Sequence, residues 1–195
     1  MMNLRKALTA ALVALAALAA LALPAAASAS VWLHEGEPLE KAVELPLTGG
    51  EAIEVEGGLL VCNGTSATMT AEVGSTALIS AYGIEAGGCV GLGSLEGCEV
   101  TAATPSGTPW SVTVNTADLT VSEFAVTYSF EGCSTHKLEL SFPELTLTPE
   151  EEPSAIRYFR FSRTGTAVLD EKEITVEDAG TLQLPEEDFG TYGIG

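Results

Sequence analysis

Residues 51–62 read EAIEVEGGLLVC, two β-favouring runs separated by Gly57 and Gly58. A glycine pair at that place supplies the backbone conformation a tight turn needs, so the stretch predicts a β-hairpin. Toward the C-terminus the same texture repeats: SATMTAEV and STALISAY flank Gly74, then CVGLGSLEGC, CEVTAAT, the turn PSGTPW, SVTVN and EFAVTYSF lead to Cys133. Short runs of Val, Thr, Ile and Tyr, broken at regular spacing by Gly and Pro, predict an antiparallel sandwich or barrel. No window carries a helical period.

KLELSF and ELTLT continue the pattern as far as the acidic PEEEP of residues 149–153, which reads as a linker or long turn. Beyond it AIRYFRFSR, TAVLD, KEITVED and GTLQL add three or four strands. The fold class is therefore all-β, an antiparallel β-sandwich or barrel, immunoglobulin-like or jelly-roll-like, after an N-terminal signal peptide. Residues 30–50 are expected as an extended lead-in and 51–148 as a disulfide-containing β domain. Residues 154–185 then close that domain or form a small second sheet, and 186–195 make a loose tail.

The signal peptide is read from residues 1–29. Arg5 and Lys6 precede an apolar run from Ala7 to Leu23 and a small-residue tail from Pro24, with Ala27 and Ala29 placed for cleavage before Ser30. A retained membrane anchor wants roughly 20 apolar residues, more than this alanine-dominated run offers. The chain is expected to be secreted, with no membrane association after cleavage.

Acids outnumber bases 27 to eight, and cleavage would remove two of the bases, leaving a net charge of about −21. Such a surface repels nucleic acid and anionic lipid, so neither is an expected partner. Of the acids 23 are Glu and four are Asp, and no Asp-rich calcium loop occurs. A solvated, soluble surface is the expected role of this charge.

Four cysteines behind a signal peptide imply two disulfides, with three possible connectivities. The pairing expected is Cys89 with Cys98, across a glycine-rich loop, and Cys62 with Cys133. Cys133 and His136 have the spacing of half a zinc site, but the other cysteines lack it, so no metal or other cofactor is expected. His34 with Glu35 and Glu37 lies in the lead-in, where a lone histidine is ordinarily solvated.

Catalytic signals are sparse. The chain has two histidines and no G-x-S-x-G elbow, and STHK at residues 134–137 lacks the partner motifs of the serine enzymes it matches. No catalytic residue is assigned. Glycoside hydrolysis needs only two carboxylates at a set separation, which 23 Glu permit without locating. LPLTG at residues 45–49 matches a wall-sorting signal but lacks the apolar stretch and basic tail that signal requires. Asn63 in NGT matches a glycosylation sequon, discounted because the alanine-rich leader looks bacterial.

Two features point to binding. Trp110, with Trp32, Tyr82, Tyr128 and Tyr158, is of the type that stacks on sugar rings, although strand aromatics more often pack in cores. Arg157, Arg160 and Arg163 are half of the bases left after cleavage and are placed to clamp an anion or, more simply, to pair with nearby glutamates.

The segments LLVCNGT, EAGGCVGLGSLEGCEV and the TPW turn, within residues 51–133, resemble the small secreted, cysteine-containing β-rich proteins of unknown function in high-GC Gram-positive bacteria. The resemblance implies export and a β fold, and no catalytic residue. The expectation is a secreted or cell-envelope-associated non-enzymatic protein, structural or ligand-binding, whose partner is an extracellular ligand or cell-wall component. The alternatives are a carbohydrate-binding module and an extracellular glycoside hydrolase using paired Glu. Sequence leaves the oligomeric state open.

Overall fold

A computed structural model describes residues 30–85, 87–150 and 152–195; the signal peptide expected at 1–29 lies outside the described residues. The strands are β1 (Trp32–His34), β2 (Glu37–Pro38), β3 (Val43–Val55), β4 (Gly58–Ala71), β5 (Thr76–Ile84), β6 (Cys89–Gly93), β7 (Glu99–Pro105), β8 (Trp110–Val114) and β9 (Leu119–Glu131). They continue with β10 (Lys137–Pro149), β11 (Tyr158–Leu169), β12 (Lys172–Gln183) and β13 (Tyr192–Ile194).

Period-2 alternation decides which face each strand buries. In β10, Leu138, Leu140 and Phe142 point inward, and after Pro143 the phase shifts so that Leu145 and Leu147 do. The partner strand β9 shifts phase opposite, at Glu123, whose φ of 57° lies in the left-handed region. Proline has no N–H to give the ladder, and both strands change phase at this point while staying paired.

Antiparallel pairing runs β3-β4-β5-β8-β9-β10-β11-β12 and returns to β3, closing an eight-stranded barrel. Of the two expected architectures the barrel is the one realised. An eight-stranded barrel is just wide enough for its own side chains. Trp110, Tyr128, Phe159, Leu45, Leu47, Ile53, Leu60 and Met69 fill this one, each under 2% exposed. The hairpin of residues 51–62 is the β3–β4 turn, with Val55 opposite Gly58. LPLTG is the start of β3, Leu45 and Leu47 being core residues. Gly49 and Gly50 stand opposite a bulge in β4, whose extra residue is Gly64. A Cβ at Gly49 would collide with the Thr181 carbonyl at 1.8 Å, so no larger residue lets β3 and β12 approach as they do.

Two sequence expectations change, and one alternative left open is decided. The lead-in already contains more than half of a barrel stave, because β3 runs from Val43 to Val55. Residues 158–183 belong to the barrel wall as β11 and β12. The tail is ordered, with β13 pairing β1 and β2 completing a small three-stranded sheet. Trp32 of β1 is fully buried and its indole N–H donates to the Thr76 carbonyl, so both termini of the described chain are tied to the barrel.

The cysteines pair Cys62–Cys89 and Cys98–Cys133, and not Cys89–Cys98 with Cys62–Cys133. The correction follows from the sheet. β6 folds back on the start of β4 so that Cys62 and Cys89 are register partners, with Cα atoms 4.0 Å apart. Cys98 precedes β7 and Cys133 follows its partner β9, so the second bridge ties the ends of that pair. Each disulfide thus fastens a strand that lies outside the closed ring. Proteolysis without reduction should release one linked peptide pair holding Cys62 and Cys89 and another holding Cys98 and Cys133, read by mass spectrometry. A Cys62–Cys133 linkage would contradict the strand order.

Candidate functional site

Charged side chains occupy inward phases of three adjacent strands. Glu51 shares the phase of Ile53 and Val55 on β3, Arg163 that of Phe159 and Phe161 on β11, and Asp178 that of Ile174 and Val176 on β12. Glu51 and Asp178 are 3% and 0% exposed, and the Arg163 side chain 7%. Burying charge is expensive unless it is paired, and the cluster is only partly paired. Arg163 and Asp178 are direct register partners, and Arg163 Nη2 donates to Asp178 Oδ2. The guanidinium lies over Phe124 and Phe142, 4.2 and 4.0 Å from their ring centroids, close enough for cation–π attraction. Glu51 Oε1 accepts hydrogen bonds from Tyr128 at 2.6 Å and from Tyr82 at 2.8 Å.

Glu51 Oε2, Asp178 Oδ1 and Arg163 Nε and Nη1 are buried without a protein partner. Two carboxyls therefore share one cation in the barrel interior. Burial, and then the Asp178 charge, push the Glu51 carboxyl up to about 7, against the lowering effect of the tyrosine hydroxyls and Arg163. Burial also raises Asp178, outweighing its attraction to Arg163. Tyr82 and Tyr128 are pushed well above the usual phenol range by burial and by Glu51, so both keep their protons and act as donors.

The interior is packed rather than hollow. The void beside Tyr82, Trp110, Phe124 and Phe161 measures about 10 Å³, at the lower limit for one water molecule. None of Glu51, Asp178 and Arg163 lines that void.

The expected binding residues are dispersed. Trp110 is 1% exposed, packs 4.6 Å from Phe124 between ring centroids and donates its indole N–H to the Ser106 carbonyl. It presents no face to a ligand. Trp32, Tyr82 and Tyr128 are likewise buried, leaving Tyr158 half-exposed. The arginines do not form one clamp, because strand alternation sends them to different places. Arg163 points inward, Arg160 is exposed and pairs with Glu150 at 2.8 Å, and Arg157 lies outside β11 over the Phe189 ring. Cys133 is consumed by its disulfide and His136 is exposed in the β9–β10 turn. Among the described residues no group of three or more His, Cys, Asp or Glu side chains is gathered to hold a metal.

The surface carries open depressions among the described residues, two of them large. One, of about 930 Å³, lies by the small sheet among His34, Glu35, Glu37, Glu40, Lys41 and Tyr192. The other, of about 660 Å³, crosses β12, β3 and β4 on the barrel wall. Gly49, Gly50, Ala52, Ala179 and Gly180 leave its floor without bulky side chains, and Thr48, Asn63, Ser66, Glu85, Thr181 and Gln183 line it. Sequence reading missed this groove because its residues come from segments more than 130 positions apart. The Gly49–Gly50 pair was the local signal. The inward charges also had a signal, since each breaks the apolar phase of its strand.

Comparison with protein families, with curated proteins and with solved structures finds no match to this chain.

Proposed function

We propose that the chain is an exported, non-enzymatic β-barrel that binds a neutral, hydroxyl-rich ligand such as a cell-wall glycan in the groove over β3, β4 and β12. The observation that carries this reading is the lining. Hydroxyl and amide groups of Thr48, Asn63, Ser66, Thr181 and Gln183 converge on a depression of ligand-holding size whose only charged side chains are the carboxylates of Glu51, turned into the barrel, and Glu85. Groups of that kind suit hydrogen bonding to sugar hydroxyls, and a net charge of −19 disfavours anionic ligands.

Three further observations support it. The perturbed carboxyls that paired-acid hydrolysis would use are sealed in the interior. Outward rows such as Glu139, Ser141, Glu144 and Thr146 are polar where a membrane barrel carries an apolar band, and the two disulfides suit an oxidising compartment. Aromatic stacking has no part in this mode of binding.

Calorimetric titration of the purified protein with soluble cell-wall glycan fragments tests the reading. Binding is expected, and Asn63→Ala with Gln183→Ala should weaken it about tenfold or more, about 1.4 kcal/mol. Heat identical in wild type and double variant, or none with any neutral glycan, would remove the groove as a binding site.

A further inference from the structure

We infer that the outer face of β4 and β6 is a self-association surface, joining two copies of this chain across a two-fold axis. On this face Leu59 stands opposite Leu92, and Val61 opposite Val90, as direct cross-strand pairs. Val90 and Leu92 are 59% and 47% exposed, and Val73 is the other exposed large apolar residue among those described. Elsewhere the outward rows are mainly threonine, serine and glutamate, with single apolar residues such as Leu78 and Val168, so four apolar side chains gathered on one face stand apart from the rest of the wall.

The charge pattern selects the partner. The chain carries 27 acids, yet residues 86–95 carry no charged side chain. β4 is likewise uncharged, from Gly57 to Ala71. Two copies therefore repel less where these two strands meet their counterparts than where the acidic strands do, the charged neighbour on this face being Glu54 opposite Leu59. A cationic partner would be drawn to the glutamate-rich remainder instead. A contact between identical patches is self-complementary under a two-fold axis, which is what a closed dimer requires.

The strand edges agree. Within the ten-stranded sheet β6 and β7 are the two strands outside the closed ring, each paired on one side only. β7 carries devices that discourage pairing: Glu99, a bulge between Val100 and Ala102, and Pro105. β6, CVGLG, has neither charge nor proline. The Cys62–Cys89 bridge holds it on β4, so the surface is formed before any partner arrives. The inference stands on this face alone and does not depend on glycan binding in the groove.

Sedimentation velocity on the intact, oxidised protein, over concentrations up to about 1 mM, provides the test. A concentration-dependent dimer is expected. It should strengthen as salt rises from about 0.01 M to 0.15 M, because screening shortens the reach of the acid–acid repulsion from about 30 Å to 8 Å. Val90→Glu with Leu92→Glu should raise the dimer dissociation constant at least tenfold. Val73→Glu adds one charge at an exposed valine elsewhere and should leave it within about twofold. A protein monomeric throughout the range, a dimer that salt weakens, or a dimer equally disrupted by Val73→Glu would overturn the assignment. Circular dichroism of each variant separates loss of association from loss of fold.

Discussion

Arg163→Leu is expected to cost about 3–5 kcal/mol of folding free energy, the usual consequence of leaving one member of a buried ion pair alone. A domain has only about 5–15 kcal/mol in total, so the variant should be unfolded or nearly so at ambient temperature. Asp178 is fully buried beside a second buried carboxyl, and Arg163 is the cation that faces both. The substitution also removes the guanidinium from the rings of Phe124 and Phe142. Urea denaturation gives the number. The informative companion is Arg163→Leu with Asp178→Leu, which removes both charges of the pair and leaves Glu51, held by Tyr82 and Tyr128, among the aromatic rings. It should recover most of the loss, because a well-packed apolar pair replaces a buried ion pair at little cost. A single variant destabilised by less than about 1 kcal/mol would mean that water reaches the pair.

Folding stability should fall by about 3 kcal/mol as pH rises from 4.5 to 8, through Glu51 alone. Its carboxyl is raised from 4.5 to about 7 in the folded chain. A group shifted upward stabilises the fold fully below its unfolded value and loses that contribution as pH climbs through its folded value. The groups facing it are Tyr82 from β5, Tyr128 from β9, Arg163 from β11 and Asp178 from β12. Only Arg163 among them favours the ionised form by charge, and Asp178 opposes it. Glu51→Gln cannot ionise and can still accept the two tyrosine hydrogen bonds. It should match wild type near pH 4 and exceed it by about 3 kcal/mol at pH 8, measured as the difference between their melting curves across pH. A difference that stays constant with pH would show that Glu51 does not titrate in this range.

Local chemistry made much of the fold legible. Period-2 apolar alternation marked nearly every barrel strand, and the Gly57–Gly58 turn located the β3–β4 hairpin, because inward phase and turn conformation are properties of neighbouring residues. The same alternation contained the signs of the interior cluster. Arg163, two positions beyond Phe161, and Asp178, two beyond Val176, stand in the inward phase, whereas a reading of Arg157, Arg160 and Arg163 as one basic trio set strand parity aside.

Barrel closure and the cysteine pairing were not legible, for a related reason. Closure rests on β12 finding β3 and β10 finding β9, and the disulfides on β6 returning to β4 rather than looping on itself. Trp110 could not be placed on a surface or in a core until β8 had been inserted between β5 and β9. The sequence by itself determined that this chain makes antiparallel strands, which faces they bury, and that its charge is overwhelmingly acidic. Only the tertiary structure decided which strands are neighbours. It thereby brought Glu51 to Tyr82 and Tyr128, and Thr48 to Asn63 and Gln183, since contacts between distant segments depend on register and closure, which no local propensity encodes.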